Sequence, residues 1–260
     1  MKTDMPPQYP FPWKVLSRLV FAILTQNRLP FQAEARRAAA LLPEPIQVYG
    51  KENIPAHGPC VLTINHYTRP GFSSWWQVLS VSSVVPAPIR WITAEAWTGP
   101  DWLYTHTVTP ATFWAFRQME RTYNFFSMPP MPPRPQDLER RANAVRQVLK
   151  YASRNPQAMI GMAPEGQDEY QGVLQWPPEG TGRFLLHLAK AGLQLIPIGI
   201  FEEEDCLCLH FGQAYSLSVS PGLPVFETDL QARRSVMEHI AAVLPESLRG
   251  EFGKEDSRRL

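Results

Sequence analysis

The stretch AMIGMAPEGQDEYQGVLQWPPEGTGRFLLHLAKAGLQLIPIGIF, residues 158 to 201, decides the fold. It begins with a continuous apolar run that breaks at Pro164-Glu165-Gly166, the pattern of a strand buried on both faces. Thr181 to Gly192 then has helical spacing, with Thr181 placed as N-cap and Gly192 as the stop. Leu193 to Phe201 is a second apolar run. Strand, helix, strand with apolar strands predicts a largely parallel or mixed sheet covered by helices.

The same alternation continues on both sides. Residues 59–65, PCVLTIN, form a short apolar run that ends at His66, and residues 73–85 have helical length with Ser73 as N-cap. Residues 88–97, PIRWITAEAW, read as a further strand. From about 98 to 137 aromatic residues and prolines dominate, which predicts a long loop or lid, because successive prolines exclude a helix interior or a central strand. Leu138, Ala142, Val145, Leu149 and Ala152 then recur at helical spacing. The runs CLCLHFG and AYSLSV read as strands, and an amphipathic helix from about Asp229 to Leu244 ends the pattern. No repeat or linker divides the chain. The expected fold is a single α/β domain over residues 46–248, a mixed, mostly parallel sheet flanked by helices, with an N-terminal amphipathic helical segment (1–45) and a polar tail (249–260).

Composition narrows the function. The 260 residues are 44% hydrophobic and 19% charged, which is globular, and 27 prolines exceed the usual share of about 5%. A net charge of +1 excludes attraction of the whole protein to nucleic acid. Cys60, Cys206 and Cys208 are an odd number at no metal spacing, which suits reduced thiols and no metal site. No segment reaches the roughly 18–20 apolar residues of a membrane span. Residues 11–26, FPWKVLSRLVFAILTQ, combine an apolar face with Trp13, Lys14 and Arg18, the composition of a helix that lies in a membrane interface; a helix packed on the domain has the same pattern. Residues 1–51 hold seven Lys or Arg against three Asp or Glu, an excess of four that favours an anionic lipid surface.

Ligands in open α/β sheets gather beyond the carboxyl ends of the strands. Asn65-His66 follows one predicted strand and Pro164-Glu165-Gly166 another, so one shared site is expected. A histidine titrates near neutral pH and suits a general base for a hydroxyl nucleophile.

The blocks ENIPAHGPCVLTINH, MIGMAPEGQDEYQGVLQWPPEGTGRFLLHLAKAGLQLIPIGI and LHFGQAYSL, in this order and spacing, resemble the glycerolipid acyltransferases of the lysophosphatidic acid acyltransferase type over roughly residues 50–245. The resemblance implies an acyltransferase-like fold and an O-acyltransferase. Its donor would be acyl-CoA or acyl carrier protein and its acceptor a hydroxyl of a lysophospholipid-like molecule. No cofactor, metal or nucleic acid is implied, and the expected location is peripheral, on the cytoplasmic face of a membrane. His66 takes the place of the catalytic base. The family counts His-x4-Asp to its orienting acid, but position 71 is Gly. Glu95 and Asp101 are the carboxylates expected to replace that acid, and Ser73 or Ser74 would hold the ring more weakly. Substrate contacts are expected from Asn65, Arg69, Glu165, Gly166 and Gln167. Asp168 and Glu169 stand where a Thr-containing block would continue to a basic residue, and they would repel a phosphate. Two other readings of His66 remain open: a lineage that binds lipid or acyl ligands without turnover, and a histidine that only packs under the Pro70-Gly71 turn.

Overall fold

The computed structural model describes residues 7–99, 101–130, 134–166 and 172–253. Seven strands form one sheet in the order β1-β7-β6-β2-β5-β3-β4. They are β1 (Gln47–Tyr49), β2 (Cys60–Ile64), β3 (Arg90–Ala94), β4 (Phe126–Met128), β5 (Met159–Met162), β6 (Gln194–Glu203) and β7 (Cys206–Phe211). Every pairing among them is parallel except β6 with β7. The helices are α1 (Trp13–Leu24), α2 (Phe31–Ala39), α3 (Trp75–Val84), α4 (Thr109–Tyr123), α5 (Leu138–Arg154), α6 (Thr181–Lys190) and α7 (Val225–Ala242).

The strands are apolar on both sides because both faces are covered, and successive side chains alternate between them. In β2, Val61 enters the core formed with Val148 of α5, Leu185 of α6 and Val236 of α7. Its neighbours Cys60, Leu62 and Ile64 enter the opposite core with Trp76, Leu79 and Trp91. Val15 and Leu19 of α1 and Ala35 and Ala38 of α2 are buried in that second core, so the N-terminal helices pack on the same domain. Phe252, in a short turn (Gly250–Gly253) within the expected tail, is buried against Trp176, with ring centroids 5.0 Å apart.

Three expectations are corrected. Residues 98–137 are not one long loop: a π-helical turn (Tyr104–Val108) leads into α4, with Pro110 in its first turn, and β4 follows. Proline is tolerated there because the first N–H groups of a helix have no partner within it. AYSLSV is not a strand; only Tyr215 pairs, through an isolated bridge to Leu195. Thr181 is not the cap of α6. Asp229 of α7 accepts the Gly180 N–H at 3.0 Å and the Arg183 N–H at 2.9 Å, so a tertiary carboxylate caps the helix. Gly182 lets the two helices touch there, since a Cβ would stand 2.3 Å from the Asp229 carbonyl oxygen.

Candidate functional site

The central strands β5, β2 and β6 lie side by side and parallel, so their carboxyl ends share one edge of the sheet. The loops after β2 and β5 meet there. Glu165 is buried, and its Oε1 accepts the backbone N–H of His66 at 2.6 Å across 99 residues of sequence. Its Oε2 accepts the Gln175 N–H at 2.8 Å. One carboxylate therefore fixes the histidine loop against the chain that returns after the Pro-Glu-Gly turn, through two charge-assisted bonds. Gly166 completes the turn at φ +73°, its N–H donating to Ala163 O at 3.2 Å.

Asn65 fixes the other side of the loop. Its Oδ1 accepts the Ile200 N–H at 2.7 Å and its Nδ2 donates to the Ile200 carbonyl at 2.9 Å. Ile64 is the last residue of β2 paired with β6, opposite Ile198. The Asn65 amide thus carries the ladder one step further by side chain as the backbone leaves the sheet. Asn65 was expected to touch substrate; it is buried and both polar ends of its amide are bound to the protein.

Arg69 was expected to hold an anionic substrate group. The anion it holds is Glu202, at the end of β6, with Nε to Oε2 at 2.5 Å and Nη2 to Oε1 at 2.6 Å. Its Nη1 donates to Pro70 O at 2.7 Å and its Nη2 also to Pro7 O at 2.5 Å. Tyr9 and Tyr67 donate to the same carboxylate at 2.6 and 2.9 Å. Burial, then the Glu202 carboxylate, pushes both phenols above their ordinary range, so they stay protonated donors. Hydrogen bonds from Arg69 to Glu202 hold the guanidinium charged, above its ordinary value. Sequence reasoning missed Glu202 and Tyr9. The signal for Glu202 was its place directly after the predicted strand 193–201, at the edge where ligands gather. Tyr9 had none.

Glu95 and Asp101 were expected to take the place of the family's orienting acid, and Glu95 has another partner. Glu95 follows β3 and pairs with Arg140 of α5, whose guanidinium also reaches Asp137. Desolvation raises the Glu95 carboxyl above its ordinary value. Asp101 is exposed at the start of the π-helical turn, its carbonyl accepting the Thr105 N–H at 3.0 Å. Neither carboxylate hydrogen-bonds His66. Ser73 and Ser74 precede α3, and neither hydroxyl bonds the ring. Gln167 lies outside the described residues.

Gly71, where the acid would stand, has φ +84° and closes a tight turn in which Arg69 bridges to Phe72. Such a backbone favours glycine over an acidic side chain. The loop N–H groups of His66 and Gln175 are taken up by Glu165, so neither is open to an oxyanion in this arrangement.

The chain matches no protein-family model. No curated protein matches it either. Among solved structures it is similar to the 1-acyl-sn-glycerophosphate (LPA) acyltransferase PlsC from Thermotoga maritima, at 16% identity over 87% of each chain, with a TM-score of 0.48. At that identity and score the likeness assigns no residue a role. Among the described residues no cluster of three or more His, Cys, Asp or Glu could hold a metal ion. Burial pushes the Cys60 thiol up to about 12, which leaves it protonated and inert as a nucleophile at neutral pH.

Proposed function

We propose that the chain is an O-acyltransferase that moves a fatty acyl group from acyl-CoA or acyl carrier protein to a hydroxyl of a lysophospholipid-like acceptor. The observation that carries this reading is the 2.6 Å bond between Glu165 and the His66 backbone. It unites the Asn-His and Pro-Glu-Gly blocks, far apart in sequence, at the carboxyl edge of adjacent parallel strands. In the reaction, His66 removes the acceptor proton as the acceptor oxygen attacks the thioester carbonyl. The C–S bond breaks, an oxygen ester forms, and the proton returns to the departing thiolate. General-base assistance of this kind is worth about 10²–10⁴ in rate. His66 is partly buried and stands just after β2, at the carboxyl edge of the sheet.

A second reading is favoured by Gly71. With a left-handed turn at the acid's position and with Glu95 paired to Arg140, the site would bind a lysolipid or acyl ligand without turnover. The test is incubation of the protein with labelled acyl-CoA or acyl carrier protein and a panel of lysophospholipids. Labelled diacyl product supports transfer. Saturable lysolipid binding with no product supports the second reading, and neither product nor binding removes both.

A further inference from the structure

β6 runs on to Glu203 although its pairing with β2 ends at Ile198, so its last residues stand beside the loop that carries His66. Four donors converge there on the Glu202 carboxylate. Tyr9 and Arg69 Nη2 donate to Oε1, and Tyr67 and Arg69 Nε donate to Oε2, at 2.5–2.9 Å. They fill the roughly four lone-pair sites that a carboxylate offers. Tyr67 and Arg69 belong to the histidine loop, whereas Tyr9 belongs to the N-terminal segment, 193 residues from Glu202 in sequence. Arg69 Nη2 also donates to Pro7 O, and the Tyr9 ring packs edge-on against Phe72 with centroids 4.8 Å apart. The Glu202 and Arg69 side chains are only 9% and 17% exposed. An ion pair so withdrawn from water adds little net stability, because desolvation offsets the attraction. Its geometric effect is larger, since one carboxylate holds together two segments from opposite ends of the chain.

We propose that Glu202 is a positioning residue for His66: it clasps residues 7–11 onto the histidine loop as a strap, and the clasped strap fixes where the His66 ring stands. The kinetic part of this rests on the acyl-transfer reading. The loop is already anchored where it leaves the sheet, Asn65 by Ile200, the His66 N–H by Glu165 and the Tyr67 carbonyl by Gln77 Nε2. Past Tyr67 the polar anchor is Arg69, and it acts through Glu202 and Pro7 before Gly71 turns the chain back. Ring packing seats the strap as well. Tyr9 lies 5.6 Å from Trp76, which is buried in the second core, and Phe11 lies 5.1 Å from Trp75. The strap is thus tied to the loop by charge and to α3, which follows the loop, by aromatic contact. In an active site a misplacement of about 1 Å costs on the order of 10² in rate. A clasp that prevents it acts on the chemistry even where it adds little to stability.

The test compares Glu202→Gln, which keeps the shape and removes the charge, with Tyr9→Phe, which removes only the strap's hydroxyl. Glu34→Gln is the control, because Glu34 is another buried carboxylate bound to arginines, Arg18 and Arg37, and it ties α1 to α2. Isotopically labelled histidine rings give the His66 signal, assigned by its loss in His66→Ala. Both strap variants should move that signal, Glu202→Gln further than Tyr9→Phe. Both should also lower hydrogen-exchange protection at Phe72, whose N–H donates to Arg69 O at 3.1 Å. In acyl transfer, kcat should fall about 10–10²-fold in Glu202→Gln with KM unchanged. Glu34→Gln should lower the melting temperature and leave the His66 signal and kcat as in wild type. A His66 signal and Phe72 exchange equal to wild type in Glu202→Gln would overturn the proposal, and so would an unchanged kcat. A rise in KM alone would also overturn it, because that marks a contact with substrate, as would an equal response to Glu34→Gln, which marks general destabilisation. Where wild type transfers no acyl group, the acyl-transfer reading fails on its own, and the His66 signal with Phe72 exchange still decides the clasp.

Discussion

Replacing Glu165 tests whether one carboxylate unites the two loops. In wild type it satisfies two backbone N–H groups, those of His66 at 2.6 Å and Gln175 at 2.8 Å. A buried donor left without an acceptor costs about 1–3 kcal/mol, and bonds to a charged acceptor are worth about 1.5–3 kcal/mol. Glu165→Ala strands both donors and should cost about 2–6 kcal/mol. Glu165→Gln keeps one acceptor oxygen but turns an NH2 toward the other N–H, so about 2 kcal/mol is expected. Against a typical total of about 5–15 kcal/mol the Gln variant still folds. In a chain of this size that loss lowers the melting temperature by about 4–8 °C. Urea titration reads the global cost, and hydrogen exchange locates it: the amides of His66 and Gln175 should lose protection while those of β2 and β5 keep theirs. Unchanged exchange at both amides, with a denaturation midpoint equal to wild type, would refute the idea that Glu165 fastens the histidine loop.

Two further outcomes follow from the same structure. Gly71→Asp restores the acid by sequence count, but an Asp at φ +84° carries about 1–2 kcal/mol of strain, and its Cβ would lie 3.3 Å from Arg69 Nη1. The variant should be less stable and no faster in acyl transfer; a tenfold faster rate would show that the acid's place is only vacant. At Asp137, desolvation pushes the carboxyl up, yet hydrogen bonds from Arg134 and Arg140 bring it below its ordinary value. A carboxyl that titrates lower in the folded state contributes stability above its unfolded pKa, about 3.9, and loses it as the pH falls through the folded value. Asp137→Asn should therefore be less stable than wild type at pH 7 and lose less stability on acidification; parallel pH profiles would contradict this.

The central strands were legible because each is buried on both faces, so an apolar run had no competing explanation. Residues 158–166 and 193–201 correspond to β5 and β6 within a few residues, and 59–65 to β2. The elements that escaped have weak local signatures. β1 and β4 span three residues each, and α4 buries little beyond Thr122 and Tyr123, so its helical period is faint beneath prolines and aromatic residues. The cap of α6 comes from Asp229, a partner supplied by a later helix that no local pattern announces. At the site, the Asn-His and Pro-Glu-Gly turns were visible as punctuation after apolar runs. Their roles were not. Asn65, Arg69 and Glu165 all carry chemistry that suits a ligand, and the structure shows their partners within the protein: Ile200, Glu202 and two backbone amides. Local sequence supplies the residue type at a strand end; only the fold decides which groups are already satisfied there.

Single-turnover acyl transfer by wild type and His66→Ala, with the acceptor that gives most product and lysolipid binding measured in parallel, tests whether His66 is the base. If His66 is the base, the variant should still bind the lysolipid and transfer the acyl group about 10²–10⁴ times more slowly. Equal transfer rates in the two proteins would remove His66 from the mechanism.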